Sequence, residues 1–221
     1  MTPVHHVSEE ELVEFAAGAS SEPAAVAVAC HAALCAACGA RLRTLDAIGG
    51  ASLAAATAEP TAPGALDGLL ARLDDDGGPR AAPVDPAALR LLDAHAIPRL
   101  VLPYLAPGAA ASGWRRLVPG ITRIDLRAGP TGAVVRLVNL RPGLEIPLHD
   151  HGGVEYTVIF AGALTDDQGR FARGDISIRA VGERHVQHVT AGEPCVALVV
   201  NEGPLEPLTW KGKALSILAG R

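Results

Sequence analysis

His149-Asp150-His151-Gly152-Gly153-Val154-Glu155 sets two imidazoles two residues apart and a carboxylate four residues further on. Side chains alternate between faces along an extended chain, so His149 and His151 lie on the same side of a sheet. The glycine pair then turns the chain, which brings Glu155 back toward the same point. Further on, Gly182-Glu183-Arg184-His185 supplies another imidazole before a strand. Three imidazoles and one carboxylate from separate strands make an interior site suited to Zn, Mn, Fe or Ni. His188, three residues beyond, is read as an exposed neighbour rather than a ligand.

The sequence around this stretch is that of a β domain. Val134–Leu140, Tyr156–Phe160, Asp175–Ala180 and Val196–Val200 are short runs rich in valine and isoleucine. Glycine-containing turns separate them at Ala128–Thr131, Gly152-Gly153, Thr165–Gly169 and Gly182. Such regular spacing points to an all-β sandwich or barrel, beginning near Trp114.

The first half follows a different rule. Ser8-Glu9-Glu10-Glu11 has the form of a capping box. Leu12, Phe15, Ala16 and Ala19 follow at helical spacing. Ser21-Glu22-Pro23 restarts a helix, with proline in the first turn where its missing N–H costs nothing. The alanine-rich run that follows reaches Ala47 or beyond, with a break near the cysteines. Leu66, Leu69, Leu70 and Leu73 make a short amphipathic helix. Asp74-Asp75-Asp76-Gly77-Gly78-Pro79 ends it and opens a linker. Asp85-Pro86 caps one more helix, and prolines 98, 103 and 107 mark a second irregular stretch. His95 is read as a surface residue at a helix end.

Within this half, His31-Ala32-Ala33-Leu34-Cys35-Ala36-Ala37-Cys38 reads His-x3-Cys-x2-Cys. On a continuous helix the three donors share one stripe. If the helix breaks there, the two cysteines can still grip one ion from a turn. Thiolates with an imidazole suit Zn(II) in a closed tetrahedral site, which needs a fourth ligand. His5 and His6 are the nearest candidates. Cys30 lies off the stripe and is read as a small core residue.

The 221 residues leave room for one large domain or two small ones. With 49% hydrophobic residues the chain is not disordered, and its formal net charge of −5 argues against a nucleic-acid binder. Residues 1–80 carry eleven acidic and four basic side chains, a block that suits a basic protein partner. No stretch reaches the ~18–20 apolar residues of a membrane span. Ala24–Ala40 is apolar, but it contains His31 and three cysteines and no basic segment precedes it, so it is not a signal peptide. Four cysteines, three of them clustered, fit a metal site in a reducing cytoplasm better than a disulfide framework.

Both sites carry a resemblance. Gly143, His149, His151, Glu155 and Gly162 match the first cupin motif position for position. Gly174, Gly182 and His185 match the second, with Ala180 in place of its proline and Val189 in place of its asparagine. The N-terminal pattern His5-His6-Val7-Ser8, Ala16-Ala17-Gly18 and His31–Cys38 resembles the zinc-binding anti-sigma factors of the ChrR type, which carry a cupin-like domain after a helical one. The resemblance implies that His6, rather than His5, is the fourth ligand beside His31, Cys35 and Cys38. It also implies that the helical domain clasps an extracytoplasmic-function sigma factor.

The expected architecture is therefore two-domain α + β. A small helical zinc-binding bundle occupies residues 1–80, a linker with a short helix residues 81–112, and a cupin-like antiparallel β-barrel or jelly roll residues 113–221. The expected metals are Zn(II) at the first site and Zn(II) or another divalent transition metal at the second. No catalytic residue is assigned. The expected function is that of a cytoplasmic anti-sigma factor, paired 1:1 with its sigma factor and contacting neither nucleic acid nor membrane. Its cupin domain would sense singlet oxygen or an organic hydroperoxide. The alternative is a metal-dependent cupin enzyme of dioxygenase or isomerase type, for which Glu145, Asp150 and His188 are possible bases and none stands out.

Overall fold

A computed structural model describes residues 2–74, 84–127 and 133–208. The linker reading beyond Asp74 and the turn at Ala128–Thr131 fall largely outside them.

The first helix, α1 (Glu9–Ala16), begins as its sequence requires. The Ser8 hydroxyl accepts from the Glu11 amide, and the Glu11 carboxylate accepts in return from the Ser8 amide. Caps of this kind are worth about 1 kcal/mol each. Ser21 caps α2 (Glu22–Leu34) by accepting from the Ala24 amide at 3.2 Å. The alanine-rich run then breaks at Cys35, whose extended backbone (φ −109°, ψ 106°) separates α2 from α3 (Ala36–Ala55). The two helices meet at a bend of 115°. The break expected near the cysteines is thus a corner rather than one continuous stripe, and α3 runs beyond Ala47, to Ala55. Helix α4 (Ala65–Asp74) holds the four leucines, and α5 (Pro86–Ala94) is capped by Asp85. The proline-bearing stretch forms a 3-10 helix at Arg99–Tyr104 and a short α6 at Ala109–Ser112. His95 ends α5 but is half-buried rather than superficial, because the Trp114 indole N–H donates to its Nε2 at 3.3 Å.

Eleven strands make two antiparallel sheets among the described residues. They are β1 (Arg115–Val118), β2 (Ile121–Asp125), β3 (Val134–Leu140), β4 (Glu145–His151), β5 (Glu155–Ala161), β6 (Ala163–Asp166), β7 (Gly169–Ala172), β8 (Ile176–Arg179), β9 (His185–Val189), β10 (Cys195–Asn201) and β11 (Leu205–Pro207). One sheet runs β1-β2-β3-β10-β5-β8 and the other β11-β4-β9-β6-β7. Non-sequential neighbours such as β3-β10 and β4-β9 give the crossed connections of a jelly roll.

The six-stranded sheet is covered on both faces, which explains why β5 and β10 are apolar almost without alternation. Its inner face (Val138, Leu140, Ile159, Ala197) packs on Leu164, Phe171 and Val189 of the opposite sheet. Its outer face (Leu137, Val158, Phe160, Leu198, Val200) shares one core with Val26, Ala27, Val28 and Cys30 of α2. Helix α2 is accordingly buried on most of its circumference. The β4–β5 turn is tight for a similar reason: at Gly153 a Cβ would collide with the backbone of Gly203, so the crossing of these two loops requires glycine.

Candidate metal centres

At the α2–α3 corner, His31, Cys35 and Cys38 are buried and His6 closes the group from the exposed side. His6 Nδ1 lies 3.3 Å from Cys35 Sγ and 3.6 Å from Cys38 Sγ, and His31 Nε2 lies 3.2 Å from Cys38 Sγ. A tetrahedral ion with nitrogen and sulfur ligands has donor–donor edges of roughly 3.3–3.8 Å, so the four atoms are spaced to hold one ion. The His31 Nδ1–H donates to the Gly174 carbonyl at 2.7 Å, which leaves Nε2 free to coordinate an ion. Burial lowers the His31 pKa and keeps the ring neutral. Burial also pushes the Cys38 thiol up to about 11, so metal binding has to displace its proton.

His5 does not join this group. Its ring stacks on Phe171 of β7 at 4.1 Å between centroids, and its Nε2 lies 3.2 Å from the Arg170 carbonyl oxygen. Cys30 is fully buried in the shared core, where desolvation raises its thiol to about 12, and Cys195 is raised to a similar value by burial in the sandwich. Both thiols are therefore protonated and inert.

Inside the sandwich, β4 presents His149 and His151, β5 opens with Glu155 and β9 opens with His185, all four buried. His185 Nε2 lies 2.9 Å from His149 Nε2 and 3.1 Å from His151 Nε2. The Glu155 carboxylate stands 3.6 Å from His151 and 3.7 Å from His185. The His149 Nδ1–H donates to the Pro147 carbonyl at 2.8 Å, committing the single N–H of the neutral ring. Burial, then the neighbouring His185 and His151, lowers the His149 pKa to about 4. Three imidazole nitrogens converging on one point cannot all satisfy one another, and a cation between them removes the conflict. The set therefore fits a divalent transition ion.

Two features of this centre were not anticipated. Asp166 Oδ2 lies 3.5 Å from His185 Nδ1, where it can orient the ring, and Arg179 binds the same oxygen at 2.6 Å. Asp166 sits two residues after the core Leu164, so strand alternation alone would have pointed it inward. Beside the centre is a cavity of about 180 Å³, lined by His149 and Glu155, apolar side chains including Val138, Leu144 and Val199, and the buried Gln187 and Asn201. Gln187 is two residues from His185, and the same alternation places it there. His188 is exposed, as the sequence reading has it.

Comparison with known proteins covers both centres. Residues 108–206 match the ChrR cupin-like domain. Over 207 residues, 93% of this chain and 92% of its relative, the sequence is 34% identical to the anti-sigma-E factor ChrR of Cereibacter sphaeroides. The crystal structure of Rhodobacter sphaeroides SigE in complex with the anti-sigma ChrR matches with a TM-score of 0.69 and 32% identity, covering 90% of this chain and 100% of that one. No single helix among the described residues is long and apolar enough to cross a membrane.

Proposed function

The chain belongs to the ChrR family of anti-sigma factors, and from that premise we propose that it sequesters an extracytoplasmic-function sigma factor in a 1:1 cytoplasmic complex. The relatives that match along nine-tenths of the chain are anti-sigma factors, not enzymes. The helical part, residues 1–80, carries the inhibitory surface, with residues 81–112 linking it to the cupin-like part, residues 113–221.

The observation that carries this reading is an apolar surface exposed among the described residues. On α4, Leu66, Leu69, Leu70 and Leu73 are 47–72% exposed, and Ile48 and Leu53 of α3 are exposed as well. Burying a leucine is worth about 1.5–3 kcal/mol, so a partner covering this stripe gains much of a tight complex's affinity. The acidic balance of residues 1–80 complements a basic partner, as expected for a protein that itself binds nucleic acid.

In this reading His6, His31, Cys35 and Cys38 hold Zn(II), which fastens the α2–α3 corner and so the orientation of the binding helices. His149, His151, Glu155 and His185 hold zinc or another divalent transition metal. That ion would supply a Lewis-acid or redox centre at the wall of the cavity. The cavity gives a small oxidant access to the centre, and the sandwich transmits the change that releases the sigma factor. Singlet oxygen or an organic hydroperoxide is the signal proposed. Co-expression with an untagged sigma subunit tests the core of the proposal. The full chain should retain the subunit through purification, and Leu69→Glu with Leu70→Glu should lose it while metal content stays unchanged. Undiminished capture by the double variant would remove α4 from the binding surface.

A further inference from the structure

The β7–β8 turn, Arg173-Gly174-Asp175, belongs to the sandwich, yet each of its three residues also bonds to the chain outside it. The buried Asp175 carboxylate accepts through Oδ1 from the amides of Val4 at 2.7 Å and His5 at 3.0 Å. Its Oδ2 accepts from the Ala172 amide at 2.8 Å, which ties the carboxylate to its own turn. The Gly174 carbonyl accepts from His31 Nδ1 at 2.7 Å. Gly174 has φ +88°, and a Cβ there would stand 2.7 Å from Pro3 Cγ and 3.5 Å from Leu34 Cβ. The turn is thus wedged between the N-terminal arm and the end of α2. Arg173 reaches a third element by donating to the Ala96 carbonyl at 3.1 Å.

We propose that this turn is a positioning element of the helical metal centre, with Asp175 fixing the arm that presents His6 and Gly174 fixing the ring of His31. The inference rests on reading His6, His31, Cys35 and Cys38 as a metal centre. His6 is the one exposed donor of the four and lies outside any helix, so nothing in the helical part holds it as firmly as its two preceding amides are held. A carboxylate accepting two backbone N–H groups is a strong, directional clamp. The His5 ring, stacked on Phe171, grips the same arm from β7. The turn also continues directly into β8, whose Arg179 holds Asp166 against His185. One short connection between the two sheets therefore touches the surroundings of both centres, and displacement of β8 would reach His6 through Asp175 and His5.

The test uses the full chain, with zinc affinity measured by competition against a chromophoric chelator. Outer partners of metal ligands typically contribute ~10–100-fold in affinity, and Asp175→Ala should lose that much. Asp175→Asn keeps an oxygen for Val4 and His5 and should fall between the variant and wild type. Cobalt(II) supplies a readout that a general loss of stability would not move. In Asp175→Ala its ligand-field bands should shift as His6 leaves the set, while thiolate charge-transfer absorption from Cys35 and Cys38 persists. If Asp175→Ala does not fold, Asp175→Asn and His5→Ala, which empty no core, carry the test, and wild-type affinity in both overturns the proposal. Cys38→Ser separates the two claims. If it binds zinc as tightly as wild type, the reading of the centre fails. If it loses zinc while Asp175→Ala keeps full affinity, only the positioning role fails.

Discussion

Arg179 and Asp166 meet at 2.6 Å in the floor of the sandwich, with side chains 3% and 0% exposed. The same Asp166 oxygen faces His185 Nδ1, and Arg179 also reaches Asp167 at 2.6 Å. Burial pushes the Asp166 carboxyl up, but its neighbours His185 and Arg179 outweigh that and hold it below the usual carboxylate range. Asp166→Ala leaves a buried guanidinium with only the exposed Asp167 as partner. Breaking a buried pair costs about 3–5 kcal/mol, so the variant should show that loss in chemical unfolding. It should also bind metal at the sandwich centre ~10–100-fold more weakly, as outer partners of ligating histidines do. Wild-type stability with weakened metal binding would mean that Asp167 alone satisfies Arg179.

Zinc binding at the helical centre should release protons. With the Cys38 thiol raised to about 11 by burial, the metal-free protein is protonated there throughout the neutral range. Metal affinity should therefore rise with pH, by about tenfold per unit for each proton displaced. Zinc titration in two buffers of different ionisation enthalpy counts the protons. A count of zero near pH 7 would contradict thiolate ligation. Cys35→Ser or Cys38→Ser should lose the metal and unfold the α2–α3 corner, since structural zinc contributes ~10–16 kcal/mol in small domains.

Most donors of the two clusters were legible because they are close together along the chain, whereas His6 and His185 lie far from theirs, and His6 rested on the family resemblance. His149 and His151 share a face through strand alternation, and His31, Cys35 and Cys38 need only one corner. Strand β3 is legible to the residue, since its two faces both enter cores. The N-terminal arm's docking was not legible. Val4 and Asp175 are separated by 171 positions, and nothing in either segment advertises the other. Helix α2 hides its role for a different reason: it is apolar all round, so no amphipathic face shows that it covers β5 and β10. The edge strands β1, β7 and β11 were missed because three or four residues carry too little pattern to distinguish them from loops.

His5 and His6 should separate cleanly. His6→Ala removes a donor that lies 3.3 Å from Cys35 Sγ, and the purified variant should be deficient in zinc. His5→Ala removes a ring stacked on Phe171 and should retain one zinc per helical centre. Metal content by elemental analysis decides. Equal zinc in both variants would mean that another donor completes the tetrahedron.

A fragment ending near Asp76 should keep α1–α4, the zinc ligands and the leucine stripe, and should still bind the sigma factor. It also lacks Gly174 and Asp175, so its zinc affinity should fall below that of the full chain by about the factor of ~10–100 carried by outer partners. The sandwich alone, residues 113–221, exposes the face of β5 and β10 that α2 covers and should aggregate unless that face is made polar. If only the full chain binds the sigma factor, the inhibitory surface extends into the sandwich.

Sensing and turnover make opposite predictions for the sandwich centre. His149→Ala with Glu155→Ala removes an imidazole and the carboxylate, both facing the cavity. Neither residue lies on α3 or α4, so sigma binding in resting cells should be unchanged. If the centre is the sensor, release of the sigma factor under singlet oxygen or an organic hydroperoxide should be blunted, and sigma-dependent transcription should stay near its resting level after challenge. The buried thiols offer no alternative route, because Cys30 and Cys195 are held protonated at about 12 and closed to solvent. The remaining thiols, Cys35 and Cys38, lie in the other cluster. A transcriptional response identical to wild type in the double variant would reject the sandwich centre as the sensor. Oxidation would then have to act at the helical zinc site itself, and cysteine modification mapped by mass spectrometry after challenge would show it at Cys35 or Cys38.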